Sequence, residues 1–202
     1  MPVHIRATRP GDLAALAGIR ATFRSPTTLR VTKRAMGLHV GWDLEEVSLP
    51  EPYDKGDAYD LLPEEVAEIA DRARNRDCLE RVADVDGRVV AMIDLDIMRW
   101  NNTGNLWNLL VDVDFRGQGI GTALFRRALA WCKKRNVRSV IIETQTNNVP
   151  ACRFYSSMGC RLAGINDHYY TNRDIESGEV AIFWAYDLSD AAPDAFTRCG
   201  VD

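Results

Sequence analysis

With 202 residues, 46% of them hydrophobic and 27% charged, the chain can fill one domain with a substantial core and is neither disordered nor fibrous in composition. A formal net charge of −4 and a pI near 5.5 leave no general nucleic-acid footprint, so no nucleic-acid partner is expected. No apolar run reaches transmembrane length, and the opening Met-Pro-Val-His-Ile-Arg lacks a signal-peptide pattern; a cytoplasmic protein without a membrane partner is expected. The cysteines Cys78, Cys132, Cys152, Cys160 and Cys199 are odd in number and scattered, which reads as reduced thiols. With only His4, His39 and His168 beside them, no metal site is expected.

In chain order, Val3 to Ala7 reads as a first strand, and Asp12 as the cap of a helix with Leu13, Leu16, Ile19 and Phe23 on its apolar face. Residues 25–62 carry the weakest signals: a strand near Gly37 to Leu49, then an acidic Pro/Gly/Asp segment from Pro50 to Asp60. A solvated loop and a substrate-facing lip both fit the acidic residues from Glu51 to Glu65. Pro63 opens a helix through Val66, Ile69, Ala70 and Ala73, ending near Asn75. Asp86-Gly87 marks a type I′ hairpin between Leu79–Val85 and Arg88–Met98. A turn at Trp100 to Gly104 leads to a strand over 106–113. The helix after it carries Leu124, Ala128, Trp131 and Cys132 on its core face. Val137 to Glu143 is a further buried strand. Asn148 and Pro150 then start a helix that Gly159 stops, and two strands follow near 160–170 and 179–187. The pattern predicts a single mixed α/β (α+β) domain over residues 1–190, with a mostly antiparallel sheet, and a tail over 191–202.

The stretch from Leu106 to Thr122 carries the chemistry. An apolar strand ends at Asp112 and Asp114, a glycine-rich turn follows from Arg116 to Gly121, and a helix begins at once. Free N–H groups and the positive end of a helix dipole then meet at a spot without bulky side chains, which suits a pyrophosphate. Gly121-Thr122-Ala123 has no Walker lysine, and Gly117, Gly119 and Gly121 are spaced by two, unlike a dinucleotide fingerprint.

Arg116-x-x-Gly119-x-Gly121 resembles the coenzyme A pyrophosphate loop of the GNAT superfamily of acyl-CoA N-acyltransferases. Asn147-Asn148-Val149-Pro150-Ala151-Cys152-Arg153-Phe154-Tyr155-Ser156-Ser157-Met158-Gly159 resembles that superfamily's Asn-x-x-Ala-x-x-Phe-Tyr-x-x-x-Gly signature. Over residues 85–187 the run Ile142 to Cys152 and the strand Glu179 to Trp184 are similar to streptothricin acetyltransferases; the N-terminal third matches loosely. The resemblance implies a sheet of about seven strands with flanking helices and a splayed central pair. It also implies acetyl-CoA as co-substrate. Backbone groups of Leu109, Leu110 and Val111 would bond the pantetheine, and one N–H near Leu110 would polarise the thioester carbonyl. Amides of Arg116, Gly117, Gln118, Gly119, Ile120, Gly121 and Thr122 would hold the pyrophosphate. Asn148 would contact the pantetheine arm, and Tyr155 would lie near the sulfur.

Transfer to an amine needs a base, a donor for the oxyanion and an acid for the departing thiolate. Tyr155 is the expected acid. Asp94 and Glu143 are the candidate bases, with Asp96 beside Asp94 as a binder of a cationic amine; a salt-bridged strand face fits these carboxylates equally well. Trp100, Trp107, Tyr169 and Tyr170 are candidate acceptor-pocket walls, and core burial fits the same aromatics. Trp107 stands where streptothricin acetyltransferases carry an acidic residue, and Cys160 where they carry phenylalanine. The expectation is an acetyl-CoA-dependent N-acetyltransferase for a small cationic amine of streptothricin-like kind, acting as a monomer or homodimer. A protein lysine or N-terminal acetyltransferase and a non-catalytic acyl-CoA-binding module remain the alternatives.

Overall fold

The computed structural model describes residues 2–58 and 60–189; the expected tail over 191–202, with Cys199, lies outside the described residues. Seven strands form one sheet: β1 (Val3–Ala7), β4 (Cys78–Val85), β5 (Arg88–Met98), β6 (Thr103–Val111), β7 (Ser139–Gln145), β9 (Ala181–Asp187) and β8 (Arg161–Asn166), in that spatial order. All neighbours are antiparallel except β6 and β7. A parallel pair needs a crossover, and α3 (Ile120–Lys133) supplies it. This is the mixed, mostly antiparallel fold expected from the sequence.

Each face of the sheet is covered by helices. α3 and α4 (Val149–Ser157) lie on one face, where Leu124, Phe125, Ala128 and Cys132 recur at helical spacing and pack on Ile93, Leu95, Val140 and Ile142. On the other face α1 (Leu13–Leu16) and α2 (Pro63–Arg72) bring Leu16 and Ile69 onto Val82, Val89 and Met92. The Asp86-Gly87 turn has positive φ at both residues, 50° and 84°, as a type I′ hairpin requires. A short helix α5 (Asp174–Ser177) separates β8 from β9. Asp174 is buried and organises the loop before it, accepting the N–H groups of Tyr169, Tyr170 and Thr171.

Two expectations near the N-terminus are corrected. The helix after Asp12 lasts one turn, because Gly18 interrupts it and the chain leaves it along an irregular path. Ile19, Ala21 and Phe23 are still buried, but that path is held by tertiary bonds: Val113 N–H to Arg20 O, and Ala21 N–H to Asp60. Nor does Asp12 cap the helix; its carboxylate takes the Arg6 guanidinium and the Arg9 N–H instead.

Residues 25–62 form mainly a two-stranded hairpin, β2 (Arg24–Met36) and β3 (His39–Asp54), separate from the main sheet. The second strand runs past Leu49 to Asp54, where a loop was expected. Pro26, Pro50 and Pro52 fall where the register slips between Ser25↔Tyr53 and Thr27↔Ser48, so residues without an N–H sit outside the ladder. The hairpin docks on the main sheet beyond β7 through Leu29 N–H to Thr146 O, and through ion pairs Arg153–Glu46 and Lys33–Asp167.

Candidate active site

The central strands diverge at a defined point. β6 and β7 pair from Thr103↔Ser139 to Leu106↔Ile142 and no further, which leaves that edge of Trp107 to Val111 without a strand partner. Against β5 the register slips at the same place, from Asp94↔Asn108 to Leu95↔Leu106, so Trp107 is the extra residue of a bulge. A bulge bends and twists its strand, and here it turns β6 away from β7. The wedge opens into a cavity of about 580 Å³ between β6, the glycine loop and α4.

Every sequence-predicted cofactor residue except Gln118 lines this cavity: Leu109, Leu110, Val111, Arg116, Gly117, Gly119, Ile120, Gly121, Thr122, Asn148 and Tyr155. Gln118 turns away, its amide 3.4 Å from Asp114 O. Gly117 and Gly119 have φ of 75° and 80°, which a side chain would strain. No side chain caps α3, so the N–H groups of its first turn remain available at the positive end of the dipole. The Arg116 side chain points elsewhere: its guanidinium bonds Val111 O at 3.0 Å and Thr22 O at 2.6 Å, clamping the Ala21–Phe23 segment beside the loop. Asn148 caps α4, its side chain accepting the Ala151 N–H at 3.2 Å. Tyr155 is 8% exposed, packs on Phe125 and Phe154, and has its pKa raised by burial, so the phenol keeps its proton at neutral pH.

Glu143 is the first β7 residue past the fork and faces Phe183 across the β7–β9 ladder. Its carboxylate accepts the Tyr170 hydroxyl, and burial raises its pKa, with Glu179 adding to the rise. Tyr169 stacks edge-on against Tyr170 and Phe183, at 5.2 and 5.6 Å between centroids. Lys55 pairs with Glu179 at 2.9 Å. These groups make an acidic and aromatic cluster beside the fork. On β6, Trp107 is half exposed; its indole N–H donates to Asp96 at 3.0 Å, and the Arg72 guanidinium lies 5.4 Å over its ring.

Of the expected catalytic and acceptor residues only Tyr155 lines the cavity; Asp96, Trp107, Glu143 and Tyr169 lie outside its lining, and Asp94 and Trp100 are placed elsewhere altogether. Asp94 is 1% exposed and held by the Nε and terminal nitrogen of Arg72 at 2.9 and 2.7 Å, a buried anchor beneath α2. Trp100 is 82% exposed on the β5–β6 turn, at the far end of β6 from the cavity. Sequence reasoning missed Phe23, placed on a helix face but lining the cavity, and Glu80, which faces Asp94 across the β4–β5 ladder. A glutamate among Leu79, Val82 and Ala83 was the available signal. Asp112, read as a strand-end residue, is buried and takes both Arg20 and Arg88.

The sequence profile of the acetyltransferase (GNAT) family matches residues 41–160. The chain belongs to that family. As a GNAT protein it is an acetyl-CoA-dependent N-acetyltransferase, and its relatives include streptothricin acetyltransferases. That of Escherichia coli is 35% identical over 63% of this chain and 72% of the relative. That of Streptomyces lavendulae is 26% identical over 89% and 92%. Streptothricin acetyltransferase A of Bacillus subtilis is 33% identical over 43% of this chain, which spans only half that relative's length. Among solved structures, a nourseothricin acetyltransferase superposes with a TM-score of 0.77 at 25% identity, over 94% of this chain and 100% of the other. A putative streptothricin acetyltransferase of Bacillus anthracis, in complex with acetyl coenzyme A, gives 0.72 at 25% identity, over 92% and 99%.

The GNAT cavity fits acetyl-CoA on its own features: an unpaired strand edge for an amide-bearing arm, and open helix N–H groups behind two left-handed glycines for a diphosphate. Among the described residues, no group of three or more His, Cys, Asp or Glu is arranged to hold a metal ion. No described helix is long and apolar enough to cross a membrane.

Proposed function

We propose that the chain acetylates a primary amine of a small cationic acceptor, of streptothricin-like kind, by direct attack in a ternary complex. The observation that carries this reading is the adjacency at the fork. The cofactor cavity, with Tyr155 in its wall, lies at the fork, and Glu143, the first β7 residue past that fork, joins Tyr170 and Tyr169 in an acidic, aromatic cluster. Carboxylates attract an ammonium, and aromatic faces add cation–π attraction. The names of the relatives support the same acceptor class.

Acetyl-CoA supplies the acetyl group as a thioester. The chain's part is to hold, orient and move protons. The free N–H groups along Leu109 to Val111 align the pantetheine arm and donate to the thioester carbonyl as negative charge develops on its oxygen. Glu143 takes a proton from the acceptor ammonium, directly or through one water, since only the neutral amine is a nucleophile; its raised pKa makes it a better base than an ordinary glutamate. Asp96, with Trp107, holds the rest of the cation. Tyr155 gives its proton to the departing sulfur. Asp94 holds Arg72 under Trp107 and so positions the acceptor wall.

Thiol release from acetyl-CoA, measured over streptothricin, polyamines, aminoglycosides and lysine peptides, tests the proposal. The expected result is strong turnover of one small cationic amine, falling about 100-fold or more in Tyr155→Phe with little change in acetyl-CoA affinity. Turnover of peptides alone would move the acceptor to proteins. Tight acetyl-CoA binding without turnover of any amine would make the chain a binding module.

A further inference from the structure

The charges of this acidic chain are segregated. Residues 115–142 hold seven basic side chains and no acidic one, although the whole carries −4. Four of the seven, Lys133, Lys134, Arg135 and Arg138, cluster where α3 ends and β7 begins. α3 is 14 residues long, so this cluster lies about 20 Å from the glycine loop, beyond the reach of its pyrophosphate site.

A second cavity, of about 410 Å³, opens at that end. It is lined by Arg76, Asp77, Ile97, Arg99, Asn102 and Arg135. Two of its three guanidiniums are fixed. Arg99 grips Asp77 through two bonds of 2.6 Å, and Arg135 stacks 3.9 Å from the centroid of Trp131. Arg76 and Arg135 both act electrostatically on the same Asp77 carboxylate. Three cations thus share one anion, which leaves an excess of two positive charges over the basin. The turns that frame it are locked together: Asn102 donates to Asn136 O at 2.8 Å and Arg138 to Asn101 O at 2.8 Å. Beside the basin, on the same turn as Arg99 and Asn102, Trp100 leaves its ring 82% exposed.

We propose that this basin binds a chain of phosphoryl groups, as in a free oligophosphate or a nucleoside polyphosphate. Guanidiniums present paired N–H donors that match phosphoryl oxygens, and a single phosphate would leave most of the volume unused. The Trp100 ring offers a stacking face where a base would lie. The ligand is distinct from acetyl-CoA, whose diphosphate is held at the other end of α3.

The test uses the full chain saturated with coenzyme A, so that the glycine loop is closed to the probes. Inorganic tripolyphosphate and ATP are titrated calorimetrically at low and moderate salt. Both are expected to bind one site, more weakly as salt rises. Arg76→Glu with Arg135→Glu should weaken binding at least 10-fold while coenzyme A affinity is unchanged. Arg126→Glu with Arg127→Glu, the same charge change elsewhere on α3, should weaken it far less. If charge reversal disturbs folding, Arg76→Gln with Arg135→Gln replaces it. An ATP advantage that Trp100→Ala removes identifies a nucleoside polyphosphate; equal affinities identify the oligophosphate. No binding of either probe, equal losses in the two charge-reversal pairs, or a preference for a single-stranded oligonucleotide that tripolyphosphate does not displace would overturn the proposal.

Discussion

Glu80→Gln tests whether a buried carboxyl keeps its proton up to neutral pH. Glu80 is 6% exposed and lies directly across the β4–β5 ladder from Asp94, and neither of its side-chain oxygens has a hydrogen-bond partner. Arg72 is committed to Asp94 Oδ2, and Asn108, opposite on β6, also acts on that carboxylate. Burial, reinforced by the Asp94 charge, pushes the Glu80 carboxyl up to about 7. Between the ordinary 4.5 and about 7 the folded chain therefore binds more protons than the unfolded one, so stability falls as pH rises through that window and is level above it. At about 1.36 kcal/mol per pH unit the loss has an upper limit of about 3 kcal/mol, and local relaxation brings the expectation to about 2 kcal/mol. Glutamine has the same shape, never charges, and can donate an N–H to Asp94 Oδ1. Urea unfolding at pH 4 and pH 8 should therefore show a variant close to the parent at the lower pH and more stable by about 2 kcal/mol at the higher. A variant destabilised equally at both values would refute the retained proton and leave Glu80 a plain anion.

Glu143→Gln should lower kcat at least 10-fold with a smaller effect on acetyl-CoA affinity. In the parent enzyme kcat should rise with pH through a value above the ordinary glutamate range, because burial raises this carboxyl; an unchanged pH–rate profile in the variant would remove Glu143 as the base. Asp112→Ala should cost about 2–3 kcal/mol in a denaturant titration, since it strips Arg20 and Arg88 of a buried partner, yet both guanidiniums are exposed enough to be rehydrated. The Asp112 pKa is depressed in the fold, so its contribution is full above the ordinary aspartate value and is lost as pH falls through the depressed one; a variant with the parent's acid sensitivity would show that the pair does not bear on it.

Apart from the short α5 between the last two strands, the order of elements from Pro63 onward was legible because local signals agreed there. Asp86-Gly87 demands left-handed backbone, Asn148 and Pro150 cap a helix, and Gly159 ends it at φ 89°. Before Pro63 local and tertiary preferences part. The run Leu13 to Phe23 has helical spacing, yet Gly18 stops the helix and the glycine loop claims the residues after it through Val113 N–H to Arg20 O. The hairpin β2–β3 was only half read, since Pro50 and Pro52 mark a loop locally while the ladder resumes beyond them at Ser25↔Tyr53.

The two halves of the site differ in legibility for a physical reason. The cofactor half is made of backbone, and backbone needs are written in short contiguous code: glycines where φ is positive, a strand that ends at a helix start. Eleven of the twelve residues chosen for it line one cavity, and the twelfth, Gln118, is in the same loop but turned away. The proposed acceptor half is made of side chains from separate elements, and each carboxylate in it reads alike. What distinguishes Glu143 from Asp94 is topology. Glu143 lies one residue past the last β6–β7 pair, at an opening, whereas Asp94 lies between two paired strands with Arg72 over it. Neither fact follows from the residues flanking them. The bulge that decides both is carried by Trp107, whose position one residue after Leu106↔Ile142 turns β6 outward and sets an exposed indole at the fork. A substitution that restored regular pairing there would close the cofactor wedge and remove the proposed acceptor wall together, so on this reading the two halves are coupled through one residue of backbone.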